Sequence, residues 1–348
     1  MKASKICMAA VVTVVMGLIF CGVSTAADDR AAVIEGAKKE GKLVWYTPTD
    51  VDDSSVLLER FKKHYPFIKT ELYRASGVKI LSKVMTEARM GKYLFDVISS
   101  APDRSYMWIK DGLITTYDSP ERKFYEDSVK DKEGYWTGIY KNTHVITYNT
   151  KMVSREEAPK NYQDLLDPKW KGKLGIDIKD HQWYAAQLEI MGQEKGRDFF
   201  SKLVQMDLNI RSGHSLLNEL CVAGEFPVVV NAYAPNAEKH KKSGAPIEWV
   251  PVEPVVFHYV SVQLGKKAPH PNCAKLFIDF ALSREGQQII SDRKRIPCRS
   301  DVLPDPPRLV TGFDGNGLKF HPYPYKFVAE NYGELQKEFR GLLKRKGY

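Results

Sequence analysis

Between Lys42 and Ser99 the chain alternates short apolar runs with amphipathic stretches, and that alternation leaves few folds open. LVWYT, within Lys42 to Thr47, reads as a buried strand, preceded by a helix over residues 30–40 that Gly41 closes. Leu57, Leu58 and Phe61 share a helical face that ends before Pro66, and Ile68 to Tyr73 is the next strand. Val78, Leu81, Val84, Met85 and Ala88 recur at helical spacing up to Gly91, after which Phe95 to Ser99 is apolar enough for a third buried strand. Strand, helix, strand, helix, strand is the pattern of an open parallel sheet.

The pattern resumes after Trp136. GIYKNTHVITYNT alternates like a strand, Pro159 to Lys173 is a turn-rich bridge, and Leu174 to Ile178 is a strand. Phe199 to Val204 suits a helix, Leu208 to Arg211 a strand, Ser215 to Ala223 a helix closed by Gly224, and Pro227 to Val230 a strand. An extended return then leads through a polar loop to an amphipathic helix over about Asn272 to Leu282. Farther on, Pro304, Pro306, Pro307, Pro322 and Pro324 impose an extended wrap. Tyr332, Leu335, Phe339, Leu342 and Leu343 then share one face of a helix suited to docking on a domain.

The N-terminus carries Lys2 and Lys5, an apolar run, and small residues from Ser24 to Ala27, which reads as a secretory signal peptide over residues 1–27, cut after Ala26 or Ala27. Bulky Phe20 disfavours a lipid anchor at Cys21. The mature chain is expected to be exported and soluble, since no later run is long enough to span a bilayer. Its length of about 320 residues suits two domains better than one core. Loss of Lys2 and Lys5 takes the formal net charge from +9 to +7. Those cations are scattered among acids, which argues against a nucleic-acid partner and for a surface that draws anions. Of the five cysteines, Cys221, Cys273 and Cys298 remain after cleavage. Cys273 and Cys298 flank one helix, so a disulfide between them is one reading and buried thiols the other.

Four segments appear in order: YNT at Tyr148 to Thr150, PKNYQDLLDPKWKGKLGI at Pro159 to Ile176, GEFPVVV at Gly224 to Val230, and APHPNCAKLFIDFALSREGQ at Ala268 to Gln287. Together they resemble the periplasmic solute-binding proteins of ABC transporters, within them the branch of ferric-ion-, thiamine- and phosphonate-binding receptors. The likeness runs to about Asp301. It implies an α/β fold of the type II periplasmic binding protein kind, with two lobes joined by two crossing hinge strands near Ile139 to Tyr148 and Val250 to Val260. Residues 28–140 with 260–310 then form one lobe, 141–259 the other, and 311–348 an extension with a docked helix. It also implies a receptor rather than an enzyme, closing on a small-molecule ligand and delivering it to a permease with its ATPase; a monomer with no cofactor and no bound metal is expected.

Ligands of open α/β sheets sit beyond the carboxyl ends of the strands. Those ends carry Tyr46, Thr47 and Thr49, then Arg74 and Ser76, Ser99 and Ser100, Asp177 and His181, Arg211 and Ser212, and Asn231 and Tyr233, with Trp136 a further aromatic candidate for the wall. Arg74-Ala75-Ser76-Gly77 and Arg211-Ser212-Gly213 each join a strand to a helix, pairing helix N–H groups with a guanidinium in a way that suits an anion. The alternative is a capping serine beside a solvent-facing arginine. Tyr233 matches the first of two adjacent tyrosines in the resembled ferric-ion receptors, but Ala234 stands where the second would. A hydrogen-bonding role is therefore expected of Tyr233, and a small organic or phosphorylated anion is favoured over a ferric ion or metal chelate. Asp177, Asp180 and His181 match no standard closed metal site. GxSxG, HExxH and GxxxxGK motifs are missing, leaving an exported hydrolase assembled from dispersed residues as the remaining alternative.

Overall fold

The computed structural model describes residues 26–344, so the predicted signal peptide, apart from Ala26 and Ala27, lies outside the described residues. Helix α1 (Ala26–Glu40) passes into β1 (Lys42–Thr47) through Gly41, whose φ of 62° is left-handed and unstrained only without a Cβ. Then come α2 (Val51–His64), β2 (Lys69–Arg74), α3 (Gly77–Arg89), β3 (Val97–Ser100), α4 (Pro102–Lys110) and the short β4 (Ile114–Thr115). Strand β5 (Thr137–Asn149) leads to a second half made of β6 (Leu174–Asp177), α5 (His181–Met191), α6 (Gln193–Leu203), β7 (Asn209–Arg211), α7 (His214–Ala223), β8 (Val228–Tyr233), α8 (Ala234–Lys242) and β9 (Ile247–Val250). Strand β10 (Val255–Gly265) returns to the first half, which adds α9 (Pro271–Leu282), α10 (Arg284–Asp292) and β11 (Ile296–Pro297). The C-terminal segment contributes α11 (Arg308–Thr311), β12 (Phe320–Pro322), α12 (Tyr325–Glu330) and α13 (Tyr332–Lys344).

β2, β1 and β3 pair in parallel, and β10 lies antiparallel beside β3. The main strand order is β2-β1-β3-β10-β5-β8-β6-β7. β5 divides this sheet in two. Its first part, Thr137 to Thr143, pairs with β10, whereas from His144 onward it pairs with β8 and β9. Register shifts at Val145/Thr147 and at Val260/Ser261 let the sheet turn at that point. β5 and β10 are the crossing strands of a two-lobe α/β fold.

Each half has its own core. Trp45 and Phe61 meet Phe277 in the first, and Phe199 and Phe200 pack around Trp183 in the second. Burying a side chain of this kind contributes roughly 2–3 kcal/mol relative to exposure. Helix α13 buries Leu335, Phe339 and Leu343 on the second half, with Phe339 stacked on Tyr184 at 5.2 Å. The disulfide reading is corrected, because Cys221, Cys273 and Cys298 are all free and buried. Cys273 Sγ donates to the Ala37 carbonyl at 3.4 Å, and Cys298 lies beneath Gly138 of β5, so the two thiols are built into separate contacts. Among the described residues no helix is long and apolar enough to cross a membrane.

Six helices, α4, α5, α8, α10, α11 and α12, have no counterpart in the sequence reading. α4 and α5 each begin within a few residues of a strand end, and the polar tip expected after Val230 is instead the continuation of β8 to Tyr233, followed at once by α8. Pro235, within the first turn of α8, fits a position where no N–H is needed.

Candidate functional site

The crossing strands bring the ends of both halves together around Tyr233. That residue closes β8 opposite His144 of β5. Its ring lies 3.8 Å from His214, 4.9 Å from His144 and 5.5 Å from His258, measured between centroids. His258, on β10, stacks on Tyr323 at 4.9 Å. Burial pushes the Tyr233 phenol well above its ordinary range, with Asp180 and Asp177 adding to it.

The carboxylates of the second half are tied into a network, while His144 Nδ1, His181 Nε2 and His214 Nδ1 beside it have no hydrogen-bond partner among the described residues. Asp177 accepts from the backbone of Lys179 at 2.7 Å and of Gly213 at 2.8 Å, while its own N–H donates to Asn231 Oδ1 at 3.1 Å. The Asn231 amide then donates to Asp180 at 2.9 Å, and the Tyr323 hydroxyl to the other Asp180 oxygen at 3.1 Å. Burial, then the neighbouring Asp177, raise the Asp180 carboxyl well above the usual carboxylate range.

Burial disfavours the charged form of the imidazoles beside this wall. Burial lowers His144 far below its ordinary value, helped by His214 and His258, and brings His258 to about 3, helped by Arg104. The same two causes bring His181 to about 3. Burial also lowers His214, against the pull of Asp177. Asn142 Nδ2 lies 3.3 Å from His258 Nε2. An amide nitrogen only donates, so Nε2 accepts and Nδ1 carries the proton. That Nδ1 has no hydrogen-bond partner among the described residues.

The wall from the first half is open. Arg104, in the first turn of α4, is only 8% exposed and lies 3.6 Å from Asp103. Burial opposes its charge, but Asp103 and nearby phenols outweigh this and keep the guanidinium protonated. A Cβ on Gly77 would lie 3.0 Å from Arg104 Cζ, so the guanidinium rests on the first turn of α3 and a larger residue there would displace it. Arg104 Nε and the hydroxyls of Ser76, Ser100 and Ser105 are buried without a hydrogen-bond partner among the described residues. The serine that precedes α3 does not cap it, which leaves the N–H groups of that first turn available as well. The halves also touch: Gln182 donates to Asp103 at 3.4 Å, and Lys239 of α8 bonds Asp53 and lies 3.5 Å from Asp50.

Of the residues expected from strand ends, Asp177 bonds Asn231, Tyr233 lies beside His144, His181 lies beside Tyr332, and the hydroxyls of Ser76 and Ser100 are buried. Thr47 and Thr49 bond each other at 2.9 Å, and Thr49 meets Tyr140 of β5 at 3.0 Å, on the crossing strand. The others are corrected. Tyr46 alternates to the opposite face, among Tyr73 and Phe95, with its hydroxyl on Glu87 at 3.1 Å. Ser99 is occupied by the Trp45 indole at 2.9 Å, and Trp136 packs on Tyr259 in the first half. Arg74 is exposed and paired with Asp50 at 3.3 Å, Arg211 reaches Glu225 at 3.4 Å, and Ser212 is exposed.

The sequence reading missed Arg104, His144, His214, His258, Tyr323 and Tyr332. A proline followed by aspartate just after a buried strand marks a helix start at Pro102, and would have pointed to Arg104. Single histidines inside the apolar strands HVI and VFHYV were the signal for His144 and His258.

A two-lobe α/β body with a buried polar cleft where its crossing strands meet is the architecture of a solute-binding protein. Residues 94–313 match the family described as bacterial extracellular solute-binding protein, and the chain belongs to that family, whose members bind rather than turn over their ligands. A Haemophilus influenzae protein described as uncharacterized is 27% identical over 341 residues, covering 92% of this chain and 94% of its own. A putative 2-aminoethylphosphonate-binding periplasmic protein of Salmonella typhimurium is 25% identical over 222 residues, or 60% of this chain and 64% of its own. Among solved structures, the periplasmic binding protein AfuA from Actinobacillus pleuropneumoniae, with exogenous fructose-6-phosphate bound, superposes with a TM-score of 0.78 at 22% identity over 88% of this chain and 99% of its own. Iron-bound HitA from Pseudomonas aeruginosa superposes at 0.73 with 21% identity over 86% of this chain and 99% of its own. Structural likeness at such identities shows the shared fold.

Proposed function

We propose that this chain is an exported receptor that captures a small organic or phosphorylated anion between its halves and hands it to the permease and ATPase of an ABC importer. The observation that carries the reading is the Arg104 guanidinium, buried and charged on the first turn of α3, with its Nε unpartnered among the described residues, as are the buried hydroxyls of Ser76, Ser100 and Ser105. Such groups are costly to bury unless a ligand completes their bonds. An anion accepts from all of them, and from the first-turn N–H groups of α3. The carboxylates of the opposite wall are occupied by internal donors and compete less for the guanidinium.

Two relatives support a phosphorus-bearing ligand by the compounds in their descriptions, 2-aminoethylphosphonate and fructose-6-phosphate. Others are described by iron, which is the competing reading. Ala234 follows Tyr233, and among the described residues no group of three or more His, Cys, Asp or Glu side chains is disposed to hold a metal. The expected signal peptide and the extracellular family support export, with the periplasm as the working compartment.

The test is thermal unfolding of the purified mature protein with 2-aminoethylphosphonate, fructose-6-phosphate, inorganic phosphate and ferric citrate. A ligand at a hundred times its Kd stabilises the folded form by about 2.7 kcal/mol and raises the melting temperature. A rise with a phosphorus-bearing anion and none with ferric citrate is expected. A visible tyrosinate–iron band with no response to anions overturns the anion reading, and release of product from a bound ester overturns the receptor.

A further inference from the structure

The family match ends at residue 313, yet the segment beyond it is built into the centre of the molecule. β12 adds to β10 in parallel, pairing Phe320, His321 and Pro322 with Val255, Val256 and Phe257. The next residue, Tyr323, donates its N–H to Phe257 O at 3.0 Å and sends its ring into the cleft. There its hydroxyl bonds both His144 and Asp180. Tyr325 accepts the Tyr259 N–H at 2.9 Å, which fixes the segment to the crossing strand a second time.

From that anchor the segment grips both halves. α12 packs on α4 of the first half, and α13 packs on α5 of the second. Val328 and Leu335 close together on Ala185 between them. Tyr332 stands at the junction, with its ring edge-on to His181 at 4.7 Å. Its hydroxyl is buried beside Arg104 and Asp103, with the guanidinium directed at its oxygen, and its own proton has no acceptor among the described residues.

We infer that Phe320–Lys344 is a strap across both halves that completes the binding site, with the Tyr332 hydroxyl a direct hydrogen-bond donor to the bound ligand. This rests on the proposed receptor function. The Tyr332 hydroxyl and Arg104 Nε are neighbouring donors buried without acceptors, and one anionic oxygen set can satisfy both. Tyr323 does the other part of the work by tying the crossing strands to Asp180. Because the strap is held at α4 and at α5, the two halves cannot separate without releasing one end of it.

The experiment uses the full mature chain in two arms. Calorimetric titration with inorganic phosphate compares wild type, Tyr332→Phe, and Lys326→Ala as an exposed control on α12. Losing one hydrogen bond to a charged ligand predicts roughly tenfold weaker binding for Tyr332→Phe. The control should keep wild-type affinity. Equal affinity for Tyr332→Phe and wild type overturns the donor assignment. The second arm needs no ligand: hydrogen exchange of Tyr323→Ala is compared with wild type. Faster exchange in α4 and α5 together is expected, since the strap couples them. A change confined to one of these helices, or to neither, overturns the strap. If wild type binds neither phosphate nor the other anions while α4 and α5 still respond together, the anion reading fails and the strap stands.

Discussion

The two walls of the cleft are built on opposite principles. On the second half, Asp177, Asn231, Asp180 and Tyr323 form a chain in which each polar group is used by the next. On the first half, the hydroxyls of Ser76, Ser100 and Ser105, Arg104 Nε and Asp103 Oδ1 are buried without partners among the described residues. A closed network holds its shape whether or not anything is bound. An open one is finished by the ligand, so the first half should set what binds and the second how firmly the site is held.

The largest effect is expected from breaking the closed wall. Asp180→Ala removes the acceptor of Asn231 and one of the two partners of Tyr323, whose other is His144, and leaves the Asn231 amide buried without a partner. A loss of about 3 kcal/mol in unfolding free energy follows, read from chemical denaturation. A loss under about 1 kcal/mol would mean that the network is not what holds this wall.

On the open wall the effect should move from stability to affinity. Arg104→Ala is expected to weaken binding of the best anion by about 1.5–3 kcal/mol, the usual worth of a hydrogen bond to a charged group, or roughly 10- to 150-fold. Arg104→Lys keeps the charge but loses the planar fork, so it should recover only part of the affinity. Titration calorimetry on the folded variants checks both, and an unchanged Kd for Arg104→Ala removes that residue from the site.

Acid should act on the histidine-lined side. His181 and His258 are held at about 3 against an ordinary 6.5, by burial first and by Arg104 second. Below pH 6.5 the unfolded chain takes up protons on these rings and the folded chain does not. The stability they contribute is therefore full above pH 6.5 and is lost as pH falls toward 3. At about pH 5.5 each accounts for a loss of about 1.4 kcal/mol. Urea midpoints between about pH 7.5 and pH 5 measure this, and His258→Gln should flatten part of the slope. A midpoint that does not move with pH would show these rings are already charged in the folded protein.

Sequence patterning reached β1 and β3 of the first half because each is a short apolar run, and β2 because it lies between two helical repeats. It placed Asp177 and Tyr233 at strand ends, and they close the interior strands β6 and β8, while Asn231 lies within β8. The same rule failed at Arg74 and Arg211 for a physical reason. They end β2 and β7, the outermost strands of the main order, and their side chains pair with Asp50 and Glu225 rather than with the groups around Tyr233. Arg104 was hidden in a helix that local pattern did not resolve. Tyr323 and Tyr332 reach His258 and His181 only through tertiary packing of a segment far along the chain, which no periodicity encodes.

The smallest effect separates the walls most cleanly. Ser76→Ala deletes a buried hydroxyl that has no partner among the described residues, so the ligand-free protein loses no hydrogen bond. Its unfolding free energy should change by less than about 0.5 kcal/mol, since removing an unsatisfied group offsets the small loss of packing. If that hydroxyl donates to the ligand, the same change lowers affinity by about 1 kcal/mol, or roughly fivefold. Stability kept and affinity reduced is the behaviour of an open wall. Stability lost with affinity kept would instead place Ser76 with the closed network, and the two walls would then no longer differ in kind.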